Sequence, residues 1–430
     1  MPTPVFELKC KLQEYDWGQT GLDGLAAQMA HASGTHEFQL DEKKQYAELW
    51  MGTHQNGPAS LQDGTPLQKH VDTDKEYFLG KSMLKHFDGD STVPFLFKIL
   101  TARKALQLQI HPDKKSAVKL HEQSPDEFKD TNHKPEIALA VTKFEVFAGF
   151  RPPAEINNLL TSIPELSEIL ETKEVPESAS KEEQTAVVKK MLSVCFDMKD
   201  STPAYEKLMK SSGLSKFSQE KDLLRRAQEM YPGDAGALVV VFLMNYFVLQ
   251  PGDASYVKEN GIHAWFYGEG MIECMATSDN VINAGFLPEG DRAKKQFLDL
   301  VRYDSNPKDD HHVHSEKYEK GSGKTIVYDP PIEEFSILKT DLSKGEKEEI
   351  DGVEGPGILI CVEGEAKVSY EKGAEKGDFE LSKGHVFFVA AGTKLSYEAK
   401  STLQVYEGKF GVSIHDEISK ANRFQQSVGR

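Results

Sequence analysis

Cysteine is scarce, with four residues in 430 (Cys10, Cys195, Cys274 and Cys361), far apart and without a CxxC pair. That usage argues against a disulfide framework and fits a reduced cytosolic compartment. Long apolar runs are also missing. No stretch approaches the roughly 18 apolar residues that a membrane span needs. The opening Met-Pro-Thr-Pro-Val-Phe lacks a basic region followed by an apolar one, so no secretory signal is expected and a cytoplasmic location is. Positive charge is in deficit: 51 basic against 68 acidic residues leave a net charge of −17. A nucleic acid or an anionic membrane would be repelled by such a surface, so neither is an expected partner. A small anionic substrate stays open, provided that cations gather locally.

What is present is the composition of a globular protein, 39% apolar and 28% charged. The chain is too long for one ordinary core, so two or three packed units are expected. In 104–111, Leu106, Leu108 and Ile110 share one strand parity, while Gln107, Gln109 and His111 share the other. Such a strand, apolar on one face and able to bind metal on the other, suits the wall of a barrel that encloses a site. Residues 144–150 read as a further strand ending at Arg151-Pro-Pro. From about 153 to 230 the period becomes helical, with Ile156, Leu159, Leu160, Ile163 and Leu166, then Val187, Val188, Met191, Leu192 and Cys195. Ser180-Lys-Glu-Glu183 has the form of a capping box, and Asp234 is placed to cap a short helix over 235–247. Residues 304–324 read as a polar loop or linker, in which Asp309-Asp-His-His-Val-His314 is taken as solvated rather than as a metal site. Strands resume over 325–410.

A weak internal repeat joins the last two β regions. Residues 249–263 align with 381–394, given one gap, as strand, glycine-centred turn, strand. This is the second sequence motif of cupin-type barrels. The first copy ends in His263 where a cupin places a metal ligand. The second has Lys394 there, so only the first barrel is expected to bind metal.

Taken alone, each polar group is weak evidence. Gln109 and His111 lie two apart on a strand, Lys134 and Glu136 share strand parity, and His263 ends the repeat. Together they supply two imidazoles, one carboxylate and one amide oxygen, a nitrogen/oxygen set suited to zinc with a position left open. The strings Tyr15-Asp-Trp-Gly18, 46–54, Pro94-Phe-Leu-Phe-Lys98, Gln109-Ile-His-Pro-Asp113, Asn132-His-Lys-Pro-Glu136, Gly261-Ile-His-Ala264, Glu273-Cys-Met, Ser278-Asp-Asn280 and 330–335 occur in an order that resembles the type I mannose-6-phosphate isomerases.

The resemblance implies a mainly β chain with an α insertion. It would comprise a central metal-binding cupin barrel (1–152 and 233–324), a helical domain (153–232) and a degenerate C-terminal barrel (325–430). It implies one zinc per chain on Gln109, His111, Glu136 and His263, and interconversion of mannose 6-phosphate and fructose 6-phosphate through an enediol, feeding GDP-mannose synthesis. A monomer is expected. Such a reaction needs a base near the α-carbon and an electrophile for the developing oxyanion. Lys98, His133, Lys134 and Glu273 match family positions for these tasks, with His133 or Lys98 expected to move the proton and Lys134 to hold substrate. Trp17, Glu48, Gln107 and Asp279 are the expected substrate contacts, and His54 matches a family position with core hydrogen bonding equally open to it. Two positions depart from the common pattern, in a manner similar to a fungal branch. Gln107 stands where many relatives have serine, and Asn283 where many have arginine. Arg292 is expected to replace that arginine in the cleft. The competing readings are an iron-dependent cupin oxygenase, which the amide ligand and the lysines disfavour, and a catalytically inactive sugar-phosphate binder.

Overall fold

A computed structural model describes residues 3–411. The expected C-terminal unit therefore has its last residues, 412–430, outside the described part. The central body is an 11-stranded sheet organised around one 14-residue strand, His263–Ala276. Its first half pairs with Phe144–Phe150 and, through His263 opposite Gln109, with Leu108–Ile110. Its second half lies between Phe95–Ala102 and Glu136–Ala140. The register shifts between Gly268 and Met271, where one strand passes from serving one wall to serving the other. Glycine is needed here for close approach. A Cβ on Gly268 would lie 2.2 Å from the Phe144 ring, and one on Gly270 would lie 2.5 Å from Leu25 Cβ.

Two-residue periodicity sorts these strands into an outer and an inner face. Phe97, Ile99, Ile137, Leu139, Ile272 and Cys274 point outward into an apolar core shared with the C-terminal barrel. Lys98, Glu136 and Glu273, on the intervening parity, point inward. The C-terminal barrel packs an eight-stranded sheet on a four-stranded one. In its strand Gly357–Glu363, Ile358 and Ile360 face the shared core while Leu359 and Cys361 face the barrel's own. Burial on both faces explains why that strand is a continuous apolar run.

The helices Pro153–Ser162, Pro164–Ile169, Lys181–Asp197, Thr202–Met209 and Ser218–Met230 pack on the central sheet through a core that they share with Leu108, Ile110, Phe147 and Phe266. The capping box at Ser180 and Glu183 is present in both directions. Asp234 accepts the Gly236 amide at 2.7 Å, but the helix it starts is shorter than expected, Gly236–Leu243, and Met244–Leu249 is a strand.

Three expectations are corrected by this arrangement. Strand Val5–Lys9, assigned to the first unit, pairs with Val386–Val389 and extends the C-terminal sheet. Local sequence carries no information about which sheet edge an N-terminal strand will cover. The polar segment 304–324 is not a bare linker, because His312–Val313 pairs as an edge strand with Ala254–Ser255. Leu106 does not share a side with Leu108 and Ile110: the strand begins only at Leu108, and Leu106 packs near Trp17 and Leu100.

The repeat has a structural counterpart. Leu249 ends one strand and Leu381 lies at the end of its counterpart, Glu375–Ser382. Gly252 and Gly384 both take positive φ (94° and 88°) three residues on. Strands 254–257 and 386–389 follow at equal offsets. His263 and Lys394 each begin the next strand, and the one-residue gap falls in the second turn.

Candidate active site

The metal-competent side chains come from strand ends on one side of the barrel. His111 follows Leu108–Ile110, Glu136 opens its strand and His263 opens the long one. Their donor atoms all lie within 4.8 Å of one another, and this is the only such group of three among the described residues. His111 Nδ1 is 2.9 Å from the Asn280 carbonyl, and His263 Nδ1 is 3.0 Å from that of Gly261. A carbonyl can only accept, so each Nδ1 carries the proton and each Nε2 presents a lone pair. Both Nε2 atoms and Glu136 Oε2 are buried without a hydrogen-bond partner. Orphaned buried acceptors aimed at one point are costly unless a cation meets them. Burial pushes the His111 imidazole down to about 4, which keeps it neutral and able to ligate. Burial opposes charge on Glu136, yet the Lys134 ammonium 3.4 Å away helps to hold its carboxyl well below the usual range. Gln109 stands opposite His263 in register and lines the same cleft, where its side chain offers an amide oxygen. This donor set fits zinc. At the corresponding place in the second barrel, Lys394 is bound to Glu349 at 2.7 Å and Asp351 at 3.6 Å on the exposed side.

A cleft of about 280 Å³ opens beside these groups, lined among others by Trp17, Glu48, Lys98, Gln107, Gln109, Lys134, Glu136, Glu273 and Asp279. Across its floor runs a chain of five buried groups. The Trp50 indole donates to Glu48 (2.7 Å), the Lys98 ammonium lies 3.5 Å from Glu48 and 2.5 Å from Glu273, and the Trp265 indole donates to Glu273 (2.7 Å). Register explains the chain, because Lys98 is directly opposite Trp50 on one side and Glu273 on the other. Burial acts to lower the Lys98 pKa, but Glu273, Glu48 and Glu136 outweigh it and raise the ammonium above its ordinary value. Burial raises the Glu273 carboxyl. Lys134 lies 3.4 Å from Glu136. At the rim, hydrogen bonding to His54, 3.2 Å away, holds Asp279 down to about 2, helped by Gln55 and Asn56.

Two expected site residues lie elsewhere. Arg292 does not line the cleft; its guanidinium donates to Asp234 (2.8 Å) and to the Leu287 carbonyl. Asp234 is buried where it caps backbone amides, and it takes the nearest cation as its counter-charge. His133 is also outside the cleft lining, with a carboxylate at each ring nitrogen, so it has no free lone pair to act as a base. The indoles of Trp50 and Trp265 were not expected in the site. Their signal was parity, since each stands two residues from a site residue, Glu48 and His263, on the same strand face. Tyr15, which stacks on Trp17 at 5.4 Å, is a further cleft residue that pattern alone did not single out.

The type I phosphomannose isomerase catalytic-domain model matches residues 5–153, and the C-terminal model of that family matches 326–371. Mannose-6-phosphate isomerase of Cryptococcus neoformans is 37% identical over 94% of this chain and 99% of its own length. That of Ogataea parapolymorpha is 37% identical over 92% and 95%. Among solved structures, the apo mannose 6-phosphate isomerase from Salmonella typhimurium superimposes with a TM-score of 0.76 at 23% identity, covering 95% of this chain and 100% of that one. A mannose 6-phosphate isomerase bound with zinc and yttrium gives 0.76 at 22% over the same spans. At that identity the likeness speaks for the cupin-type fold, while the fungal relatives speak for the activity. This chain is an isomerase and belongs to the type I phosphomannose isomerase family.

Proposed function

We propose that the chain interconverts mannose 6-phosphate and fructose 6-phosphate by proton transfer through an enediol, with one zinc held by Gln109, His111, Glu136 and His263. The observation that carries this reading is the set of three buried, partnerless donors opening onto a cleft that also holds Lys98 and Lys134. Zinc would supply positive charge that polarises a substrate oxygen.

The residues then divide the remaining work. Glu273 takes the proton from the carbon beside the carbonyl and returns it to the neighbouring carbon. Its burial makes it a stronger base than an exposed glutamate, and the Trp265 indole fixes its orientation. Lys98, fully charged between two carboxylates, donates to the substrate oxygen that gains negative charge. Lys134 holds the anionic end of the substrate. Trp17 and Tyr15 wall the cleft against water, and Gln107 and Asp279 contact sugar hydroxyls. The product would feed mannose into GDP-mannose synthesis in the cytoplasm. No helix among the described residues is long and apolar enough to cross a membrane.

Aldose–ketose conversion by the purified chain tests the reading directly. Activity is expected to disappear on chelation and return with zinc. Full activity in protein stripped of metal would overturn the zinc assignment, and no conversion in the zinc-loaded protein would overturn the substrate.

A further inference from the structure

His133 lies one residue before Lys134 and three before Glu136, and it joins three segments of the chain. Its Nδ1 is paired with Glu259, and its Nε2 lies 2.5 Å from Glu334. A neutral imidazole has one N–H, so a ring with a carboxylate at both nitrogens is an imidazolium. Burial works against that charge, yet the two carboxylates hold the pKa up to about 9. The other groups facing this cluster are the Tyr256 phenol and Arg302, which is itself bound to Asp304.

Glu259 stands in the turn that leads to His263. The next residue, Asn260, donates its amide to the His111 carbonyl and its side chain to Asp113, both at 2.6 Å. The same turn is thus tied to two metal-competent histidines. Glu334 belongs to the entry of the C-terminal barrel, where neighbouring Phe335 packs edge-on against Phe95 at 6.3 Å, on the strand that carries Lys98.

We propose that His133 is a positioning residue, a pin protonated at neutral pH through which Glu334 of the C-terminal barrel holds Lys134 and the turn before His263 in register. The degenerate barrel thereby supports the cleft without contributing a metal ligand. The kinetic part of the proposal rests on the isomerase reading; the protonation state of His133 does not.

The test uses full-length, zinc-loaded protein with Glu334→Gln, and Glu259→Gln in case the first variant folds poorly. The His133 ring is titrated by NMR, its signal being the one missing from His133→Gln, and kcat/KM is followed against pH. In the parent the ring should titrate near pH 9. In either Gln variant the titration should fall by about one to two pH units, as expected when one charge-assisted hydrogen bond is lost. The alkaline limb of kcat/KM should fall with it, while activity at pH 6.5 stays within threefold of the parent. A parent ring that titrates at or below pH 7 would overturn the pin. So would an alkaline limb that stays in place when the titration moves. A parent with no isomerase activity would sink the functional reading and leave the ring titration to decide the imidazolium.

Discussion

Replacing Lys98 by Met is the most informative perturbation of the cleft floor, because it removes a charge while keeping most of the volume. Lys98 and Glu273 are 5% and 2% exposed, and Glu48 is 5% exposed. Without the ammonium, two buried carboxylates share one small volume with no counter-charge. Breaking a buried pair in this way costs about 3–5 kcal/mol. For 430 residues the unfolding entropy is roughly 0.9 kcal/mol/K, so the melting temperature should drop by about 3–6 °C at pH 8. The loss should depend on pH with a definite sign. Burial already raises the Glu273 carboxyl, and removal of Lys98 raises it further. A carboxyl whose pKa is higher folded than unfolded favours the fold fully below about pH 4.3, its unfolded value. That contribution fades as pH climbs through the folded value. The deficit of Lys98→Met should therefore be larger at pH 8 than at pH 5, where the raised Glu273 carboxyl carries less charge. Calorimetry of parent and variant at both pH values measures it. A deficit under 1 °C at pH 8, or one equal at the two pH values, would refute the account of Lys98 as the counter-charge of the floor.

Two further outcomes follow from the placement of single residues. His263→Ala should lower bound zinc well below one per chain, whereas Lys394→Ala should leave metal content unchanged; equal loss in both would mean that the two copies of the repeat are misread. Arg292→Ala should leave kcat/KM within about twofold of the parent but destabilise the fold by about 1–3 kcal/mol, because buried Asp234 loses its cation; denaturant titration beside steady-state kinetics separates these effects, and a hundredfold loss of kcat/KM would return Arg292 to the cleft.

Much of the site is legible in the sequence, for a local reason. A strand alternates its faces every residue, so Gln109 and His111, and Lys134 and Glu136, can be placed on shared faces by counting. The repeat identifies His263 because a turn needs its positive-φ residue at a fixed offset whatever else surrounds it. Capping at Ser180 is readable for the same reason, since a cap involves only residues within one turn. What counting cannot supply is partnership at long range. Whether His133 is a free base or a fixed cation depends on Glu259 and Glu334, which lie 126 and 201 residues away. Arg292 is taken from the cleft by Asp234, 58 residues away. The edge covered by Val5–Lys9 is decided nearly 400 residues along the chain, where Val389 pairs with Val5. Side-chain parity and turn chemistry are properties of neighbouring residues, and the sequence alone determined them. The charge state of a buried group is set by whichever carboxylate or cation the fold brings within reach, and only the tertiary structure decided that.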